Sequence, residues 1–172
     1  MDTGGQHWGK VIWHAYERQQ VPVSEEAFRD AYVHAERTLG KNPIIQSDFT
    51  FYKTIETKIR IQLEYLQENG YLSTNTHHLA PITESLYDAT VKETAKSREV
   101  LLQLKQQYPM VLVSNFYGNI ATVLQEFKLD GIFDKIIESA VGYCCLSCSN
   151  TSRLLAVSFT VASYKLSVSD FR

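Results

Sequence analysis

Apolar residues in the first half of the chain recur every three or four positions, which is the spacing of one face of an α-helix. The pattern predicts four helices, at residues 8–19, 25–39, 49–68 and 81–107, the last with a break near Thr90. Polar residues occupy the other positions of these stretches, so each helix is expected to bury one side and to expose the other.

Residues that favour helix ends stand beside these stretches. Ser24 is a favourable N-cap for the second helix, and Gly40 is expected to end that helix. Asn69 and Gly70 are expected to end the third helix. Pro81 can open the fourth helix, because a proline in the first turn removes no helical hydrogen bond.

The hydrophobic period changes after Pro109. Residues 110–113 form a continuous, β-rich apolar run that is typical of a buried parallel strand. An amphipathic helical stretch at 120–127 and a second short strand at 135–139 follow, and together they predict a βαβ unit. The whole pattern therefore predicts an α/β fold, in which a helical lid precedes part of a doubly wound core.

Ser114 and Asn115 stand where the first strand ends and just before the next helix begins. A hydroxyl at the carboxyl edge of a parallel sheet, next to the free N–H groups of a helix N-terminus, is a common way to hold an oxyanion. The pair therefore indicates phosphate-type chemistry. An ordinary cap between a strand and a helix remains the alternative interpretation of the same two residues.

Four consecutive segments resemble the middle of a haloacid dehalogenase-like (HAD) hydrolase: its second motif, the helix after it, a G-hydrophobic-F-D turn and the next strand. These segments are 108–115, 120–129, 131–134 and 137–139. The resemblance covers roughly residues 2–141. It implies an α-helical cap at residues 8–86 and a partial, incomplete Rossmann-like core with a parallel sheet at 87–141.

The resemblance also implies a chemistry. Members of this family use an aspartate nucleophile, a second aspartate as the acid, and Mg²⁺ to screen the charge of phosphoryl transfer. Ser114 corresponds to the hydroxyl residue that binds the transferring group, and Asn115 would help to position that group. The implied function is Mg²⁺-dependent hydrolysis of a small phosphate ester, with a small phosphorylated metabolite as the substrate.

The family's first, third and fourth motifs are not recognisable in this chain. Residues 1–7 read as a linker after a missing first motif, and Asp2 is not expected to be the nucleophile. Lys165 and Asp170 are the only later candidates for the missing lysine and acidic pair, and neither lies at the expected spacing. We therefore expect a fragment with little or no hydrolase activity and with no identifiable catalytic residue or metal ligand.

Two other functions remain open. The helices could form a non-catalytic partner-binding module, or the chain could be a pseudoenzyme. A haloacid dehalogenase, which also uses an aspartate nucleophile, is a further alternative to a phosphatase.

Composition limits the possible partners. Hydrophobic residues make up 44% of the chain and charged residues 21%, which is typical of a globular protein. The formal net charge of -2 gives no general attraction to nucleic acid or to an anionic membrane. No apolar run approaches the roughly 20 residues of a membrane span. We therefore expect a cytoplasmic protein without nucleic-acid or membrane partners.

Residues 142–172 differ from the rest, because serines are frequent and charged residues are few. Two apolar runs, at 154–157 and 159–161, are possible strands, and if unpaired they favour self-association. Cys144, Cys145 and Cys148 do not form a disulfide framework. They also lack the second ligand pair of a regular zinc site, so metal binding there is not expected.

Several aromatic and histidine residues of the first two helices have a structural and a functional interpretation. The aromatic residues are expected to belong to the core of the cap: Trp8, Trp13, Tyr16, Phe28 and Tyr32. His7 and His14 could face a substrate, but a partly exposed structural role is favoured for both.

Overall fold

A computed structural model describes residues 4–73 and 77–138, together with the backbone of 155–159. Five helices and three strands follow one another in these described ranges. They are α1 (Trp8–Arg18), α2 (Glu25–Lys41), α3 (Phe51–Glu68), α4 (Leu79–Lys105), β1 (Met110–Ser114), α5 (Ile120–Glu126), β2 (Lys135–Glu138) and β3 (Leu155–Phe159). The chain is thus mixed α/β and mostly helical, with a small parallel sheet. Within these ranges, no helix is both long enough and apolar enough to cross a membrane.

The start of α2 is as predicted, but its end is not. Ser24 caps the helix, since its hydroxyl oxygen accepts a hydrogen bond from the Ala27 amide. Gly40 lies inside α2 instead of ending it, so that prediction was wrong. The helix ends one residue after Gly40, where the backbone N–H and the side-chain amide of Asn42 both donate to the Thr38 carbonyl. That carbonyl is therefore satisfied without a left-handed glycine.

The predicted break of the fourth helix near Thr90 is also wrong. Helix α4 runs without interruption, and the buried Thr90 hydroxyl donates to the Leu86 carbonyl one turn earlier at 2.8 Å. This bond satisfies the hydroxyl within the helix, which allows a threonine in its interior. Pro81 is the third residue of α4, where its missing N–H costs nothing. The predicted boundary between residues 86 and 87 falls inside this helix, and the division into cap and core stays a prediction.

The sheet has the order β2-β1-β3, with β1 in the centre and parallel to both neighbours. Ser114, the last residue of β1, is in register with Glu138, the last residue of β2. Strand β3 spans parts of the two apolar runs that the sequence suggested as strands. Because both strand ends meet at one edge, the polar groups that follow β1 lie next to the carboxylate that closes β2.

The hydrophobic core is continuous from α1 to the turn after α5. The aromatic residues of the first two helices contribute to it as predicted: Trp8, Tyr16 and Phe28 are buried, and Trp13 and Tyr32 are partly buried against them. Met110 and Leu112 of β1 belong to the same core. The helices and β1 therefore share one core, and the loop after β1 is hydrogen-bonded to α2 and α3.

Candidate anion-binding site

Ser114 lies at the carboxyl end of β1, as predicted, but it is deeply buried. Its side chain is 2% exposed, and its Oγ accepts a hydrogen bond from the Phe116 amide at 3.1 Å. This local bond shapes the turn that leads out of the strand. The hydroxyl thus helps to form the loop, and a hydroxyl that accepts one hydrogen bond can also donate one.

Asn115 is exposed and lines an open cleft of about 410 Å³. The opposite wall is the end of α2 and the segment after it, including Lys41, Asn42 and Pro43. Lys41 and Asn115 thereby line the same cleft. Ser114 does not line this cleft. The two predicted phosphate ligands are therefore adjacent in sequence, but only Asn115 faces the cleft.

A carboxylate of the chain itself already lies at the start of α5. The Gly118 amide donates to Glu138 Oε1 at 2.8 Å. Burial raises the pKa of Glu138, although hydrogen bonds from the Gly118 and Ile120 amides act in the opposite direction. These amides are therefore oriented to bind an oxyanion, and Glu138 is their internal ligand. Glu138 was not among the site residues predicted from the sequence, although its place at the end of a neighbouring parallel strand was a usable signal.

Asn119, the N-cap of α5, points towards the helices and not towards the first amides of α5. Its side chain is 1% exposed, and its Nδ2 donates to the Phe49 carbonyl at 2.8 Å and to Thr54 Oγ1 at 2.9 Å. Within the part of the chain that the structure describes, Asn119 Oδ1 is buried without a hydrogen-bond partner. Asn119 thus fixes the site loop to the start of α3.

A buried ion pair supports the same loop from the side of the helices. Lys58 on α3 is 5% exposed and binds Glu36 on α2. The Tyr117 hydroxyl donates to the second oxygen of Glu36 at 3.1 Å. Lys58 Nζ also lies 4.9 Å from the centroid of the Tyr32 ring. The cluster therefore joins α2, α3 and the loop after β1.

The charges of this cluster depend on one another. Burial alone would raise the pKa of Glu36, but the Lys58 charge and hydrogen bonds from its neighbours outweigh burial and hold the pKa below its ordinary value. Burial lowers the pKa of Lys58, and the Glu36 carboxylate opposes that shift. Glu36 is consequently the group whose ionised form the fold favours.

The residues described around Ser114 bear on the magnesium site that the family resemblance implies. Among residues 4–73 and 77–138, no three His, Cys, Asp or Glu side chains are grouped so that they could hold a metal ion. The nearby Glu138 is engaged by the Gly118 amide. Within these ranges, the side chains therefore do not supply the Mg²⁺ ligand set that the family resemblance implies. Asp2, Cys144, Cys145, Cys148 and the tail residues Lys165 and Asp170 lie outside the described residues.

His7 and His14, the two candidate histidines, have structural partners. His7 caps α1, since its Nδ1 accepts a hydrogen bond from the Gly9 amide at 3.1 Å. His14 Nδ1 lies 2.7 Å from Glu17 Oε2. Both histidines also line a second cleft, which is separate from the cleft at Asn115.

No protein-family model, no curated protein and no solved structure matches this chain.

Proposed function

We propose that this chain is related to the haloacid dehalogenase-like hydrolases and that the loop after β1 is an anion-binding element derived from a phosphate-ester site. In this proposal, the chain binds a small phosphorylated metabolite and hydrolyses it weakly or not at all. An α-helical cap and an incomplete Rossmann-like core are part of the same proposal. The parallel pair of β1 and β2, with α5 between them, is the architectural support.

One observation carries the proposal, namely that the Gly118 amide binds the Glu138 carboxylate at 2.8 Å. A carboxylate and a phosphate present similar oxygen acceptors, so amides that hold one are suited to hold the other. Ser114 stands at the end of the adjacent strand, where its hydroxyl can add a donor. Asn115 and Lys41 line the adjoining cleft and supply an amide and a positive charge.

Glu138 also explains why weak binding is expected. An incoming phosphate must displace this carboxylate or lie beside it, and two like charges at short distance repel each other. Hydrolysis by the family mechanism needs a carboxylate nucleophile aimed at the phosphorus, as well as a metal. A haloacid dehalogenase would need the same nucleophile, so the same argument applies to both hydrolytic activities.

The first experiment combines binding and turnover. Inorganic phosphate is titrated into ¹⁵N-labelled protein, and p-nitrophenyl phosphate hydrolysis is followed with and without Mg²⁺. We expect saturable shifts of the Asn115 to Ile120 amides and no Mg²⁺-dependent turnover above buffer. The variant Lys41→Gln should weaken phosphate binding several-fold, whereas Lys92→Gln, a matched change at an exposed position of α4, should not.

Two results would overturn parts of this proposal. Phosphate shifts that are absent from the site loop, or that are equal in both lysine variants, would remove the anion site. Mg²⁺-dependent turnover that disappears in Ser114→Ala but persists in the exposed control Ser73→Ala would show a working hydrolase. In that case, the expectation of weak or absent activity is wrong.

A non-catalytic binding module is the second candidate, and exposed apolar residues on the sheet favour it. Val113 of β1 is 39% exposed and Ile136 of β2 is 41% exposed. The register pairs Val113 with Ile137 and Ile136 with Leu112, so the two exposed side chains lie on opposite faces of the sheet. Exposed apolar side chains of this kind can support self-association or partner binding on either face. Analytical ultracentrifugation should then show a concentration-dependent oligomer that the double variant Val113→Lys and Ile136→Lys abolishes. A monomer at all concentrations removes self-association as the function.

A further inference from the structure

A second cleft, of about 620 Å³, lies between α1 and α2. This volume falls within the usual range of small-molecule sites, which is about 300–1,000 Å³. Its lining belongs to the described helices and to His7 just before α1. It shares no residue with the cleft at Asn115. The proposed phosphate site therefore does not account for this second cleft.

The floor of this cleft is aromatic. Phe28 is buried, with its ring centroid 5.1 Å from that of Trp13 and 6.2 Å from that of Tyr32. Trp13 and Tyr32 are only partly buried, so each leaves part of a large aromatic surface open. Three tilted rings in contact form a platform on which another aromatic ring can pack by stacking or by edge-to-face contact.

The rim of the cleft carries polar and cationic groups. Lys10 is exposed and makes no ion pair with any residue of the described ranges. Arg29 lies 3.6 Å from Glu25, and both side chains are largely exposed, so this pair is weak. His7 uses Nδ1 to cap α1, which leaves its other ring nitrogen as the N–H donor. Apart from His14, which is paired with Glu17 at 2.7 Å, the rim thus has two cations and one donor, against the carboxylate of Glu25.

Gly9 keeps the cleft open at its inner wall. A Cβ atom at this position would lie 3.1 Å from His7 Nδ1 and 3.6 Å from Tyr32 Cζ. Gly9 is inside α1, and its backbone does not have the positive φ that favours glycine. A larger side chain at Gly9 would therefore have to occupy the space beside the Tyr32 ring.

We propose that the cleft between α1 and α2 binds a small aromatic anion of one or two rings. The ring packs on Trp13, Phe28 and Tyr32, and the anionic group lies at the rim near Lys10 and Arg29. The apolar floor provides most of the contact area, and the cations select the charge of the ligand. The lining of this site shares no residue with the cleft at Asn115, and Tyr32 links it to the Lys58 cluster that supports the loop after β1.

The experiment titrates 1-naphthoate into the ¹⁵N-labelled full chain. 1-Naphthamide serves as a neutral ligand of the same shape, and cyclohexanecarboxylate serves as a non-aromatic ligand of the same charge. The two tryptophan indole N–H signals report the location, since Trp13 lines the cleft and the buried Trp8 does not. We expect saturable shifts at Trp13 without shifts at Trp8, and binding of 1-naphthoate at least about fivefold tighter than that of either control ligand.

Matched variants test the rim and the floor separately. The double variant Lys10→Gln and Arg29→Gln should weaken 1-naphthoate binding about fivefold or more and leave the affinity for 1-naphthamide unchanged. The control double variant Arg60→Gln and Lys92→Gln removes the same charge from exposed positions outside the cleft and should change neither. Gly9→Val should weaken both naphthyl ligands without loss of the folded amide spectrum.

Any one of four results would overturn the proposal. Equal affinity for the amide and the acid would reduce the site to an unselective apolar surface. Equal weakening by the rim and control variants would reduce the charge effect to net charge alone. Shifts at Trp8, or no saturable binding at millimolar 1-naphthoate, would place any interaction elsewhere.

Discussion

Tyr117 donates its hydroxyl hydrogen bond to Glu36 Oε2 at 3.1 Å, across 81 positions of the chain. This bond joins the loop after β1 to helix α2. Glu36 in turn holds Lys58 on α3, so the position of the loop depends on a buried charge pair of the helices. The candidate anion site is therefore built on contacts that no local sequence pattern contains.

Removal of one member of that pair should be costly. Lys58→Met leaves the Glu36 carboxylate partly buried without its cation, and such changes usually destabilise a protein by about 3–5 kcal/mol. We expect a loss of this size in urea-induced unfolding, together with shifts of the Tyr117 and Gly118 amides. The double variant Lys58→Met and Glu36→Gln should be more stable than the single lysine variant, because no uncompensated charge remains.

The exposed pair of Lys53 and Glu56 provides the control for this test. Lys53→Gln should cost no more than about 1 kcal/mol, as is usual for surface ion pairs. A Lys58→Met variant as stable as Lys53→Gln would contradict the role assigned to the buried pair.

The same pair predicts an acid-dependent stability. The neighbours of Glu36 hold its pKa below the ordinary value of 4.5, so the group releases its proton more readily in the folded state. Its contribution to stability is present above pH 4.5 and is lost as the pH falls through the lowered pKa. Unfolding free energies measured from pH 6 to pH 3 should decrease less steeply for Glu36→Gln than for the wild type. Parallel curves would show that Glu36 is not the linked group.

Glu126 near the end of α5 caps the start of α3. Its Oε2 accepts from the Phe51 amide at 2.5 Å, and its Oε1 accepts from the Tyr52 amide at 3.4 Å. A carboxylate at a helix N-terminus satisfies free amides and interacts favourably with the helix dipole. Glu126→Ala should lower the unfolding free energy by about 1 kcal/mol or more. Glu64→Ala, an exposed change in the interior of α3, should cost only a few tenths of a kcal/mol.

The helices and the first two strands could be predicted because buried positions are apolar and recur with the period of the element. This spacing is clear in α1 and α3, and a continuous apolar run marks β1. The predictions based on Gly40 and Thr90 were wrong, because residue-type preferences contain no information about hydrogen-bond partners. Asn42, for example, donates to the free Thr38 carbonyl at the end of α2. Local preference is a weak guide where another group supplies the missing hydrogen bond.

The candidate site was predictable only in part, for the same reason. Ser114 and Asn115 could be located because a strand end and a helix start are both local signals. Asn119 binds Phe49 and Thr54 across 70 and 65 positions, and a single sequence gives no sign of those pairings. Such contacts depend on how the elements pack, and they decide which groups the loop presents to a ligand.

Glu138 gives a last prediction, about ligand binding at the start of α5. Its carboxylate occupies the Gly118 amide, and burial raises its pKa above 4.5. An anion therefore competes best when Glu138 is protonated, so wild-type affinity should rise as the pH falls towards that raised pKa.

Sulfate is the suitable probe, because its own charge stays constant over this range. The variant Glu138→Gln should bind sulfate several-fold more tightly than the wild type near neutral pH. Its affinity for sulfate should also depend less on pH, because position 138 no longer takes up a proton. Glu99→Gln, an equal charge change at an exposed position of α4, should behave as the wild type does. Sulfate affinity that is the same in both variants would mean that Glu138 does not compete for this site.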